Sequence, residues 1–341
     1  MMYDNYLDFH SYFMDAQRIP FVVVAMFITA LAGMITGPLA GNANPFIWSV
    51  FNALFGLAGD KLDRTNRKPG DLFFRGTFFT IILLVFILVV SKPLAQFTTQ
   101  SSAVEGLIVI ACISTGSIWY MVLKLYFTLK KEGKTEGGYF GLARSARVNL
   151  NSIDDYGIVR EGLAYSAVSF DKGLVAPSLW YLIGGIPFLF IYSMVSFASW
   201  RFGRSGFTNG FGRAALALEK LMGYVPSLFS GVLYTLASVV APSANMVQSL
   251  KSWWQAKDKV PYEQGGIMLS ALAWSLSISL GGPVKDISGD TLGKVWVGPD
   301  GASAKVDAYH LKRGIIINIS AHLIFLLSLS SAYVYSGNLF E

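Results

Sequence analysis

The chain has 341 residues, of which 53% are hydrophobic, 14% aromatic and only 14% charged, and its mean hydropathy is +0.49. An ordinary soluble protein carries about 25% charged residues, so the composition excludes a disordered chain, a fibrous repeat and a typical soluble enzyme. It predicts an all-α, polytopic integral membrane bundle. The one cysteine, Cys112, excludes a disulfide framework and a cysteine-held metal cluster. His10, His310 and His322 stand too far apart for zinc spacing, and no metal site is expected. The net charge of +6 with a pI near 9.2 belongs, in a membrane chain, to cytoplasmic loops, so no nucleic-acid partner is expected.

The first 18 residues hold Asp4, Asp8 and Asp15 against Arg18. That is the reverse of a signal peptide's positive start, so the first span is expected to be retained. Residues 19–59 carry no charge and are broken by Gly37-Pro38 and Asn44-Pro45. They predict one span over about 20–37 and a shorter apolar helix over about 46–58. Further charge-free runs cover 76–91, 106–123, 173–200, 221–250, 264–284 and 314–340. About six to seven spans are expected, with short re-entrant or interfacial helices. His322 lies in the last run and reads as a satisfied polar group.

Lys and Arg set the orientation. Residues 59–75 hold five, 130–172 seven, 201–224 four and 284–314 five. These segments share one side only if 173–200 fails to cross, which a re-entrant hairpin breaking at Gly184-Gly185 and Pro187 allows. Lys251, Lys257 and Lys259 then lie outside. The whole chain reads as one domain, 1–341, with a polar cytoplasmic segment at about 130–172 and a soluble loop at about 284–314. The polar segment is either a solvated interfacial stretch on anionic lipid or an anion-binding surface built on Arg144, Arg147 and Arg160.

Common catalytic motifs are missing. Gly133-Lys134-Thr135 lacks the earlier glycine of a phosphate-binding loop, and there is no nucleophile elbow or HExxH. Gly281-Gly282-Pro283 reads as a helix stop, and Gly298 to Gly301 as a turn. Neither an internal repeat nor an acid inside a span is visible, so a small-molecule transporter has no direct support.

Three segments read together resemble a known family, with a weaker fourth. IVREGLAYSAVSFDKGLVAP (158–177) is similar to the central motif of the CobD/CbiB family of cobalamin biosynthesis, roughly V-V-R-A-A-V-E-T-L-A-E-N-T-x-D-G-V-V-A-P. The shared positions are Val159, Arg160, Ala167, Gly173, Val175, Ala176 and Pro177. FGRAALALEKLMGYVP (211–226) resembles F-G-x-A-A-A-R-L-D-D-x-x-N-x-x-P at Phe211, Gly212, Ala214, Ala215, Leu218 and Pro226. SISLGGP (277–283) looks like R-L-G-G-P, and ITGPLAGNANPF (35–46) more weakly like G-D-P-x-x-x-P-H-P-V.

The resemblance implies a multi-pass protein of the bacterial cytoplasmic membrane, with the lipid bilayer as a partner. It implies an adenosylcobinamide-phosphate synthase, which joins adenosylcobyric acid, a corrinoid substrate, to aminopropanol or its phosphate. That amide ligation uses ATP and a divalent cation such as Mg2+. In the ungapped register several polar family positions are changed. The two acids before the motif's Asn fall on Ala164 and Val168, that Asn on Ser169, and the motif's Asp on Lys172, with Asp171 beside it. The second motif's Asp pair becomes Glu219 and Lys220, its Asn becomes Gly223, and the His of H-P becomes Asn44. A slipped register offers Glu161 as the first acid.

The resemblance thus carries over Asp171, Glu219 and Glu161 as catalytic candidates, and Arg160, Lys172, Lys220 and Asn44 as substrate-binding ones. Two readings stay open. One is the synthase. The other is a non-catalytic scaffold or accessory subunit on the same fold, as in the AmpE-like branch, with membrane-protein partner subunits.

Overall fold

The computed structural model describes residues 15–64, 67–130, 137–206, 210–255, 260–287 and 289–337. His10, Asp4, Asp8, Gly133-Lys134-Thr135, Lys257 and Lys259 fall outside them. Asp15 caps a short 3-10 turn, accepting from the Gln17 amide at 2.9 Å, and the turn runs into α1 (Ile19–Thr36). Gly37, at φ 68°, ends α1, and Pro45 precedes α2 (Phe46–Leu62). Both breaks lie where the Gly-Pro and Asn-Pro pairs put them. Next come α3 (Pro69–Thr98), α4 (Ser102–Cys112), α5 (Gly116–Lys130) and α6 (Gly137–Ala146).

Helix α7 (Asp155–Phe170) starts where the Asp154 side chain accepts from the Gly157 amide at 2.7 Å. Twelve of its sixteen residues are buried, so it is a core helix. The expectation of a polar segment over about 130–172 is therefore corrected. Its last stretch packs inside the bundle, because the apolar residues between its charges cover every face of the helix. The three arginines also part company. Arg144 lies over the Phe140 ring, Arg147 over Trp200 and Arg160 over Trp296, so they form no single anion-binding surface.

A π turn (Asp171–Val175) leads from α7 into α8 (Ala176–Gly206). Lys172 and the pair Ser196 and Ser199 bond one and the same carboxylate, that of Glu219. A straight helix would separate residues 172 and 196 by about 36 Å, so the chain reverses between them. It does so at Gly184 (φ −137°, ψ 19°) and Gly185 (φ 63°, ψ −154°). The Gly185 conformation is open essentially to glycine alone. Pro187 sits at the start of the returning half, where its missing N–H costs nothing. The two halves of α8 fold back on one another at the expected break, Gly184-Gly185.

Helix α9 (Arg213–Ala237) follows, then α10 (Met246–Lys251), α11 (Gly266–Leu276) and a final α12 (Ala308–Gly337). The charge-free run 221–250 is thus divided by a turn through Ser243, at φ 57°. The span expected over 264–284 does not form. α11 has only 11 residues and stops at Ser277, in the left-handed region at φ 54°; its length of about 16 Å cannot cross a bilayer. The chain then forms a two-stranded antiparallel hairpin, β1 (Leu280–Lys285) and β2 (Thr291–Val297), with a bulge between Leu280 and Gly282. Gly281-Gly282-Pro283 is therefore a strand segment and not a helix stop. Gly281 and Gly282 have φ of 92° and 87°, and a Cβ on Gly281 would stand 2.2 Å from the Val295 carbonyl oxygen.

Five stretches among the described residues are long and apolar enough to cross a membrane: Ala16–Thr36, Pro69–Thr98, Ser102–Lys130, Asp155–Gly203 and Ala308–Ser336. Ser102–Lys130 comprises α4 and α5 with a break between Cys112 and Gly116, and Asp155–Gly203 folds back at Gly184-Gly185. The 25-residue α9 is comparable in length but carries a polar buried stripe of Glu219, Ser227 and Ser230. The core lies where α5, α7, α9 and α12 meet. There Asn318 donates to the Ser166 carbonyl (2.9 Å) and accepts from the Trp119 indole (3.1 Å). His322 is buried between the Trp119 and Phe170 rings, its Nδ1 2.7 Å from the Asn318 carbonyl. The histidine is packed but only half satisfied, because its buried Nε2 has no hydrogen-bond partner among the described residues; the expectation of a satisfied polar group holds for Nδ1 alone.

Candidate functional site

A cavity of about 70 Å³ lies between the returning half of α8, α9, the π turn and the segment leading into α2. Asn44, Ser145, Tyr165, Ser169, Lys172, Ser199, Glu219 and Glu263 supply its polar wall, and Trp48, Trp200 and Leu216 its apolar one. It has room for a few water-sized groups.

Glu219 is its centre. The side chain is 1% exposed and sits on the inward stripe of α9. Its Oε1 accepts from the Ser196 hydroxyl at 2.7 Å, and its Oε2 from Ser199 at 2.6 Å and from the Lys172 ammonium at 2.7 Å. A buried carboxylate is tolerable only when paired and hydrogen-bonded, and all three donors meet that need. The ammonium also lies 4.6 Å from the centre of the Tyr262 ring, a cation–π contact. Tyr262 reaches this point because Gly223, one turn beyond Glu219, has no side chain; a Cβ there would stand 1.8 Å from the Tyr262 hydroxyl.

The other polar groups of the wall, Glu263 apart, are neutral. The Tyr165 hydroxyl donates to Asn44 Oδ1 at 3.0 Å, and Asn44 Nδ2 donates to Asn42 Oδ1 at 2.9 Å and the Ser145 carbonyl at 3.1 Å. The same carbonyl accepts from the Trp200 indole at 2.8 Å. The π turn is pinned beside it, since the Gly173 carbonyl accepts from the Ser114 amide at 2.8 Å. Isolated π turns of this kind occur often at functional sites.

Of the sequence candidates, the cavity gathers Asn44, Lys172 and Glu219. Asp171 is buried but turned elsewhere: its Oδ1 accepts from Ser230 at 2.9 Å, eleven residues along α9 from Glu219. Glu161 and Arg160 face the β-hairpin. Both Glu161 oxygens accept from Lys294 at 2.7 Å, and Arg160 donates to the Ala304 carbonyl at 2.6 Å. Lys220 is exposed. Sequence reasoning missed Tyr165, Ser196, Ser199 and Tyr262. A serine pair three residues apart in an apolar helix was a visible signal, but such serines usually bond their own helix.

A divalent cation fits this donor set poorly. Glu219 already accepts from three donors, and its countercharge is Lys172. Among the described residues no group of three or more His, Cys, Asp or Glu side chains could hold a metal.

The family motifs now have positions. Asn44 comes from the first segment, Tyr165, Ser169 and Lys172 from the central one, and Leu216 and Glu219 from the second; all line the one cavity. Only SISLGGP leads elsewhere, into the hairpin. A family model described as CobD/Cbib protein matches residues 24–317. A cobalamin biosynthesis protein CobD from Brucella anthropi is 27% identical over 219 residues, 64% of this chain and 66% of the relative. One from Sinorhizobium fredii is 24% identical over 279 residues, 76% of this chain and 83% of the relative. One from Halalkalibacterium halodurans is 30% identical over 141 residues, 39% of this chain and 42% of the relative. The chain spans just under two thirds of the first of these relatives and 63% of a CobD from Brucella suis. No solved structure matches the chain. With distant motifs meeting at one cavity, and the family model covering most of its length, this multi-pass membrane chain belongs to the CobD/CbiB protein family.

Proposed function

We propose that the chain works in cobalamin biosynthesis in the bacterial cytoplasmic membrane, joining the carboxylate of adenosylcobyric acid to aminopropanol or its phosphate as an amide. The observation that carries this reading is the convergence of three family motif segments on the Glu219 cavity. The cavity is too small for a corrin ring. The ring stays outside and only a side arm and the amine enter.

The chain's own groups have clear tasks. An attacking amine gives up a proton, and Glu219, oriented by Ser196 and Ser199, accepts it. Lys172 supplies positive charge for the oxyanion that forms on the attacked carbonyl. Asn44 and Tyr165 position the polar end of the arm. ATP and a divalent cation supply carboxylate activation in the reaction the resemblance implies; Glu219, held as it is, is not a ligand for that cation.

The test uses detergent-purified protein with adenosylcobyric acid, aminopropanol phosphate, ATP and Mg2+, read by mass spectrometry beside a genuine synthase. Adenosylcobinamide phosphate is the expected product. No product from folded protein, while the control turns over, overturns the reading. The internally satisfied Glu219 would then favour the second one, a non-catalytic member acting with membrane-protein partner subunits.

A further inference from the structure

The groups around the Lys172 ammonium form a receptor that does not depend on Lys172. Glu219 stands on α9, Ser196 and Ser199 on the returning half of α8, and Tyr262 in the turn before α11. The two serine hydroxyls orient the carboxylate, and Gly223 admits the Tyr262 ring. Carboxylate oxygen at 2.7 Å on one side and an aromatic face at 4.6 Å on the other are the two features that recognise a primary ammonium. The lysine reaches this place from a π turn, and its side chain lines the cavity beside it.

We propose that Lys172 is a tethered plug in a binding site for unbranched primary alkylammonium ions, and that a free amine must displace it to reach Glu219. The biological meaning rests on the cavity being the functional site, but the binding is tested without turnover, so the two ideas fail separately.

The experiment is a chemical rescue. Lys172→Ala removes three methylenes and the ammonium, the shape of n-propylammonium. Thermal unfolding of the purified variant is followed against n-propylammonium chloride, with tetramethylammonium chloride and 1-propanol as controls. Ligand binding to the native state raises the midpoint in a saturable way. We expect a rise of roughly 2 °C or more in Lys172→Ala, a smaller one needing more amine in the wild type, where the amine competes with the tethered Lys172, and none in Lys172→Ala/Glu219→Gln. If Lys172→Ala does not survive extraction, the fraction recovered monodisperse from buffer with n-propylammonium, against 1-propanol, is the readout, and a gain specific to the ammonium is expected. Equal responses to the ammonium and both controls, or a rescue that persists without the Glu219 charge, overturns the proposal.

Discussion

A buried ion pair holds only while both partners are present. Lys172 is 12% exposed and Glu219 1%, so removing one leaves the other's charge in a poor solvent. Breaking such a pair typically costs about 3–5 kcal/mol, whereas replacing both partners is often near neutral. We therefore expect Lys172→Met to lower the unfolding midpoint clearly, and Lys172→Met/Glu219→Gln to recover most of the loss. A double variant as unstable as the single would show that packing, not charge, is the main loss. Gly223→Ala is a second test at this scale. Its new Cβ would overlap the Tyr262 hydroxyl, 1.8 Å away, and overpacking of this kind costs about 1–3 kcal/mol. Stability like the wild type's would mean that Tyr262 moves aside freely. Glu219 was legible in the sequence as an acid at a motif position. Its serine partners were not, because nothing local tells a serine that bonds its own helix from one that crosses to a neighbour.

The elements show the same division. Charge-free runs and the Gly-Pro, Asn-Pro and Gly-Gly breaks located α1, α2 and the reversal in α8, since each break has a backbone cause that reads directly from residue type. The run 264–284 misled because apolar residues serve a buried helix and a buried strand equally well. Three residues, Ser277 to Ser279, the first in the left-handed region, separate α11 from β1. The reversal is testable. Gly185→Ala forces a side chain into a region costing about 1–3 kcal/mol, and the halves of α8 bring Lys172 and Ser199 to one carboxylate. We expect a lower midpoint in thermal unfolding; an unchanged one would contradict the observed turn. The hairpin has its own anchor. Lys294 and Glu161 are 13% and 6% exposed, and Lys294→Met is expected to loosen β2 from α7, detectable as faster amide exchange over 291–297. Unchanged protection there would remove the pair as the anchor.

At the scale of the molecule, the membrane-crossing helices carry a small polar cavity and a β-hairpin anchored to α7 nearby. Gly37-Pro38, Asn44-Pro45 and Gly184-Gly185 were readable because they shape turns and helix ends, whereas Gly281-Gly282-Pro283 was not, because it lies in a strand. The grouping of the polar residues was not readable either, because it depends on a reversal within α8 and on distant elements meeting. The structure separates two acids that the sequence left equivalent: Glu219 lines the cavity, and Glu161 pairs with the hairpin. Synthase turnover of Glu219→Gln and Glu161→Gln, measured side by side with wild type, tests that assignment most directly. We expect Glu219→Gln to lose about 100-fold or more, the range for removing a general base, while Glu161→Gln, if folded, stays within about threefold. The reverse order, with Glu161→Gln inactive and Glu219→Gln turning over normally, would contradict the Glu219 cavity as the functional site.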